Sequence, residues 1–122
     1  MLKVYLYKSC QSCVKAKRFL DSRQVDYEAL AIRQTPPSID ELRHVLQHSE
    51  YQLKHLFNRS GRDYRELNLK DRLHLMSTDE ALLLLSRTGN LVKRPFVVTP
   101  TSGLVGFDEI VWSDFLNSMS LR

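Results

Sequence analysis

What this sequence lacks narrows it quickly. No stretch comes near the ~18–20 consecutive apolar residues a helix needs to cross a bilayer, so a helical membrane span is excluded. Cysteine occurs only twice, at Cys10 and Cys13, too few and too close together for the disulfide framework of a small secreted fold. The net charge of +4 is mild and is not gathered into a basic run. That excludes a nucleic-acid-binding tail and leaves an anionic small substrate or an acidic protein patch equally compatible. Internal repeats and low-complexity segments are missing as well. Met1-Leu2-Lys3-Val4 runs straight into a strand pattern rather than an apolar leader, which predicts a cytoplasmic protein. The remaining composition, 43% hydrophobic and 26% charged, is that of a folded chain, expected to form one domain over residues 1–122 and to act as a monomer.

What is present is organised around residues 4–20. The β-branched and aromatic run Val4-Tyr5-Leu6-Tyr7 leads into Cys10-Gln11-Ser12-Cys13, and Cys13, Ala16, Phe19 and Leu20 then follow at the spacing of one buried helix face. Strand, turn and helix in that order put Cys10 at a helix N-terminus, beside unpaired backbone N–H groups and the positive end of the helix dipole. Both favour thiolate over thiol, and Lys8, Lys15, Lys17 and Arg18 add to the effect if their side chains reach the site. Cys10 is then the nucleophile, and Cys13, one helical turn on, the thiol that resolves a mixed disulfide. The competing reading is a pair of buried, inert cysteines.

Residues 25–32 read as a second, partly covered strand, closing a βαβ unit. The period then changes. Ser38-x-x-Glu41 and Ser77-x-x-Glu80 are capping boxes that open helices, the first with Ile39, Leu42, Val45 and Leu46 on one face. The second opens onto four consecutive leucines, 82–85, which suggest burial on most sides. Residues 51–57 read as a short helix, and Gly89-Asn90 as a stop. Strands return at residues 96–99 and 104–106 around the turn Pro100-Thr101-Ser102-Gly103, and Asp108 caps a last helix. A βαβ half and a ββα half thus flank a helical insertion over about residues 35–89. That is an α/β chain with the order of a thioredoxin-like fold and a mixed four-stranded sheet. Such folds place a cis proline before the third strand, opposite the cysteines, and Pro95 stands at that point.

Three further groups carry chemistry. Arg94, just before Pro95, is placed to aim its guanidinium at Cys10, where it would stabilise a thiolate or grip an oxyanion. Asn58-Arg59-Ser60-Gly61 is either a helix-ending turn or a loop over the site that supplies donors to a bound anion or to glutathione. His44 and His48, with Cys10 and Cys13, make four potential zinc ligands, but the gap between the pairs is far longer than in compact zinc sites. The two histidines read as solvated helix positions, His55 and His74 as structural ones, and no metal is assigned.

Taken together, Tyr7 to Cys13, Pro37-Ser38-Ile39-Asp40-Glu41-Leu42, Leu56-Phe57-Asn58-x-Ser60-Gly61-x-x-Tyr64-Arg65-Glu66-Leu67, Lys93-Arg94-Pro95 and Val105-Gly106-Phe107 resemble the arsenate reductase-like (ArsC) family that includes Spx and YffB. The resemblance covers nearly the whole chain. It implies a thioredoxin-like fold with a helical insertion, Cys10 as nucleophile, Arg94 as its anion-binding partner, and Ser12, Asn58, Arg59, Ser60 and Pro95 around the substrate. No cofactor is implied. Arsenate reductases of this type attack arsenate with the thiolate and are regenerated by glutathione or a glutaredoxin or thioredoxin system. At two positions where they carry arginines this chain has Asn58, with Arg59 beside it, and Gly106. Cys13 is similar to Spx, in which the pair forms a regulatory disulfide and the protein binds the RNA polymerase α subunit. The resemblance therefore implies either an oxidoreductase acting on a small thiol, disulfide or oxyanion, or a redox-switched partner of RNA polymerase.

Overall fold

A computed structural model describes residues 2–120. The elements are β1 (Leu2–Leu6), α1 (Gln11–Ser22), β2 (Tyr27–Ala31), α2 (Ile39–Gln47), α3 (Arg62–Glu66), α4 (Leu69–Arg72), α5 (Thr78–Arg87), β3 (Phe96–Val98), β4 (Gly103–Val105) and α6 (Glu109–Ser120). Short 3-10 turns at Leu53–Leu56, Leu73–Leu75 and Gly89–Leu91 punctuate the middle. The sheet order is β2-β1-β3-β4, with β1 parallel to β2 and β3 antiparallel to both β1 and β4. This is the mixed sheet expected of a thioredoxin-like α/β fold. Among the described residues no helix is long and apolar enough to cross a membrane.

Strand pleating divides the core in two. Leu2, Val4 and Leu6 point to one face, where they meet Ala16, Phe19 and Leu20 of α1 and Trp112 of α6. Tyr5 and Tyr7 point to the other, against Leu42 and Val45 of α2 and Leu82 and Leu85 of α5. The segment over about residues 35–89 is therefore the second cover of the sheet. Both capping boxes form: Ser38 Oγ accepts the Glu41 N–H while Glu41 accepts the Ser38 N–H, and Ser77 and Glu80 repeat the pattern.

Three expectations need correction. Of the four leucines only Leu82 and Leu85 are buried and Leu83 is exposed, because α5 has a single covered face. The fourth strand is Gly103–Val105, one residue earlier than read, since Gly103 pairs with Val98. His44 is half-buried and donates from Nε2 to the Thr99 carbonyl at 2.9 Å, so it ties α2 to the end of β3 rather than facing solvent. His48 is exposed, its ring 4.7 Å from that of His44.

Candidate functional site

The turn after β1 delivers Cys10 as the N-cap of α1, with extended backbone angles and its sulfur taking the place of the usual capping oxygen. The Cys13 N–H donates to Cys10 Sγ at 3.4 Å, and Ser12 Oγ lies 3.0 Å from the same sulfur. Cys13, one turn on, is buried under the Tyr7 N–H, which donates to its sulfur at 3.5 Å. Both thiols are free.

The two sulfurs are tuned in opposite directions. Burial alone would raise the Cys10 pKa, but hydrogen bonds from the Ser12 hydroxyl, the Cys13 thiol, the Cys13 N–H and Arg94 outweigh it and hold Cys10 below an ordinary thiol. Cys13 is pushed up to about 12, first by burial and then by the neighbouring Cys10 charge that its own proton stabilises. Lys8, Lys15, Lys17 and Arg18 are exposed, and the cation among the leading causes at Cys10 is Arg94.

Arg94 comes from the loop before β3, and the Arg94–Pro95 peptide is cis, as expected of the fold. That loop is held from the helical segment. The Asn58 N–H donates to the Leu91 carbonyl at 2.7 Å, the Lys93 N–H donates to Leu56 at 2.8 Å, and Phe57 bridges Val92. The Arg94 carbonyl oxygen lies 3.4 Å from the Ser12 hydroxyl, which has one proton for two neighbours. With Cys10 as a thiol, its S–H donates to Ser12 and Ser12 donates to Arg94; with Cys10 as a thiolate, Ser12 donates to sulfur. The Arg94 guanidinium carbon stands 5.3 Å from the Tyr7 ring centre, and Arg33 covers the same ring at 3.7 Å.

Five of the expected site residues, Ser12, Asn58, Arg59, Ser60 and Arg94, divide among three depressions, and Cys13 lines another. Ser12 and Arg94 line a cleft of about 350 Å³ with Lys93, Gly106 and Phe107. Asn58 faces Arg94 across a smaller cavity of about 240 Å³ shared with Arg33, Arg62 and Asn90. Arg59 and Ser60 turn away into an open groove with Tyr51, Phe57 and Lys93. Gly106 has a φ of +73°, a left-handed conformation that favours glycine over a long side chain, and its carbonyl accepts the Trp112 indole N–H at 3.0 Å. Among the described residues no group of three or more His, Cys, Asp or Glu is arranged to hold a metal ion.

The family model described as the ArsC family matches residues 5–115. The chain belongs to the ArsC family. Its relatives in that family include the uncharacterized protein YusI of Bacillus subtilis, 43% identical over 88% of this chain and 92% of YusI. The global transcriptional regulator Spx of Streptococcus pneumoniae is 28% identical over 89% of this chain and 80% of its own. Among solved structures, "a possible arsenate reductase" from Streptococcus mutans superposes with a TM-score of 0.83 at 42% identity, covering 88% of this chain and 91% of that one. The ArsC-family fold thus sets Cys10, Ser12 and Arg94 beside one another and adds Arg33, Arg62 and Asn90, which sequence reasoning missed. Arg62 alone had a local signal, directly after the glycine of Asn58-Arg59-Ser60-Gly61.

Proposed function

We propose that this ArsC-family chain is a thiol–disulfide oxidoreductase in which Cys10 attacks and Cys13 resolves. The observation that supports it best is the opposite tuning of two thiols one helical turn apart, the outer one lowered and the buried one raised. Cys10 thiolate attacks one sulfur of a disulfide, forming a Cys10 mixed disulfide and releasing the other half as thiolate, which takes up a proton. Bonded to that sulfur, Cys10 carries no charge, so one cause of the high Cys13 pKa is removed. Cys13 then loses its proton, attacks Cys10 Sγ and expels the second thiol, leaving a Cys10–Cys13 disulfide. Two electrons have passed to the substrate, and an external thiol such as glutathione, or a glutaredoxin or thioredoxin, returns them.

In this reading Arg94 and Ser12 hold negative charge on sulfur, Pro95 shapes the facing wall, and Asn58 approaches from the far side of Arg94, while Arg59 and Ser60, which open into a separate groove, take no part. A disulfide is favoured over arsenate because Asn58 and Gly106 supply no positive charge to a second and third side of an oxyanion at Cys10. The test is reduction of glutathione disulfide by the reduced protein, beside arsenate reduction in the presence of glutathione and glutaredoxin. Loss of the first reaction in Cys10→Ser is expected; full turnover by that variant would falsify the mechanism.

A second reading, favoured by likeness to Spx across most of the chain, is a redox-switched regulator that binds the RNA polymerase α subunit. A pull-down with the α subunit's C-terminal domain in both redox states separates the two readings, since a regulator binds without turning over.

A further inference from the structure

Arg94 reaches the thiol site on a long side chain, and fixing an arginine costs rotamer freedom that something must offset. Its backbone carbonyl lies near Ser12, but Nη1 of its guanidinium is buried with no hydrogen-bond partner among the described residues. An aromatic ring supplies a surface instead. The guanidinium carbon stands 5.3 Å from the centre of the Tyr7 ring, inside the ~6 Å over which a ring face attracts a cation. Tyr7 is half-buried and packs against the core on the side of α2 and α5, so its ring is held in place. Arg33 lies over the same ring at 3.7 Å.

Tyr7 also meets both cysteines, but through its main chain. Its carbonyl accepts the Cys10 N–H at 3.0 Å, and its N–H donates to Cys13 Sγ at 3.5 Å. Main-chain groups remain when the side chain is changed, so the ring is separable from these bonds.

We propose that Tyr7 is a positioning residue for the thiol site: its ring holds the Arg94 guanidinium at Cys10, so that an uncharged aromatic side chain governs how well negative charge on that sulfur is supported. The role rests on the reading of Cys10 as the reacting thiol. Arg94 is the cation among the leading causes that lower the Cys10 pKa, whereas Arg33, nearer to the ring, is not among them. The ring therefore carries two guanidinium groups, of which one serves the thiol. Like charges repel, so Arg33 competes with Arg94 for the ring rather than supporting it. An aliphatic residue at position 7 leaves the Arg94 guanidinium free to turn into the cavity it shares with Asn58 and Asn90.

The experiment is the pH dependence of Cys10 alkylation by iodoacetamide in the reduced full-length chain, with the adduct assigned by peptide mass spectrometry. No turnover is needed, so the outcome is independent of whether the chain reduces a disulfide, and it can fail while disulfide reduction persists. Tyr7→Leu is expected to raise the midpoint by about half a pH unit and to slow alkylation below it about threefold. Tyr7→Phe keeps the ring and is expected to keep the parent midpoint. In an Arg94→Met background, Tyr7→Leu is expected to add no further shift, because the ring acts through the arginine. Arg33→Ala takes the competing cation off the ring and is expected not to raise the midpoint. If Tyr7→Leu gives no cooperative thermal melt, pentafluorophenylalanine at position 7 keeps the shape of the ring, loses its negative face and is expected to raise the midpoint in its place. A midpoint unmoved by Tyr7→Leu or by the fluorinated ring, one moved equally by Tyr7→Phe, a further shift on adding Tyr7→Leu to Arg94→Met, or a rise in Arg33→Ala matching that in Tyr7→Leu would each overturn the proposal.

Discussion

On the Cys10 side of Arg94 the polar groups are engaged with one another. Cys10 Sγ has the Cys13 N–H and the Ser12 hydroxyl, Ser12 has the Arg94 carbonyl, and Cys13 has the Tyr7 N–H. On the opposite side, where the helical segment brings Asn58, Arg62 and Asn90 to the same arginine, Asn90 Oδ1 and Arg94 Nη1 stand buried and unpaired among the described residues. The first wall is built from a turn, a cap and a helix, so its bonds are short-range apart from the one between Ser12 and the Arg94 carbonyl. The second is assembled from segments distant in sequence, which bring Arg33, Asn58, Arg62 and Asn90 to Arg94. The local wall thus carries the two tuned thiols, and the assembled one the buried polar atoms left unpaired among the described residues.

The sharpest way to break that contrast is Cys13→Ser. If the local wall contains the whole thiol reaction, this variant still attacks a disulfide once and then stops as a Cys10 mixed disulfide, detected as an adduct by mass spectrometry. Repeated turnover at the parent rate would place the resolving thiol elsewhere. Next in size is Gly89→Ala, which strikes the assembled wall. A Cβ at Gly89 would lie inside the contact distance of the Ile32 carbonyl oxygen just past β2, so the 3-10 turn carrying Asn90 must move. Backbone against backbone leaves little room to adapt, and a loss of about 3 kcal/mol in unfolding free energy is expected from denaturant titration. Smaller still is Ser12→Ala, which removes the hydroxyl that lowers the Cys10 pKa. Losing one such bond is worth about 1 kcal/mol, hence roughly a fivefold slower alkylation of Cys10 below its pKa, with the pH midpoint moved upward. An unchanged midpoint would leave Cys13 and Arg94 as the groups that set it.

The same contrast explains what the sequence revealed. The strand leading to Cys10, the helix after Cys13, both capping boxes and the cis Pro95 rest on patterns a few residues long, and each is where it was expected. The convergence of Arg33, Arg62 and Asn90 has no local pattern, because it depends on how the segment over residues 35–89 lies across the sheet. Arg59 and Ser60 illustrate the limit: they adjoin Asn58 in sequence, yet the turn at Gly61 sends them to a different groove. The phase of α5 was hidden for a related reason, since four leucines in a row do not say which one faces out.

Glu41 joins α2 to β1 and offers a finer test of whether the seating of the helical segment reaches the thiol. It reads as one partner of a local capping box, but its carboxylate also accepts from Tyr5 Oη at 2.6 Å and Lys3 Nζ at 2.6 Å, so α2 is tied to β1 through charge. Burial alone would raise its pKa; the bonds from Lys3, Tyr5 and the Ser38 N–H outweigh burial and hold it below the ordinary carboxylate value. A depressed folded pKa means that the associated stability is fully present above the unfolded value and is lost as pH falls through the folded one. Lys3 is 41% exposed, so solvent screens much of the pair. Glu41→Gln is accordingly expected to cost about 0.5–1 kcal/mol at pH 7 and to flatten the fall in stability under acid, read from denaturant midpoints at stepped pH. Because the groups that shift Cys10 are Ser12, Cys13 and Arg94 and not Glu41, Cys10 alkylation should keep its pH midpoint in this variant. A shifted midpoint would mean that the seating of α2 on β1 reaches the thiol, and that the two walls are coupled through the sheet.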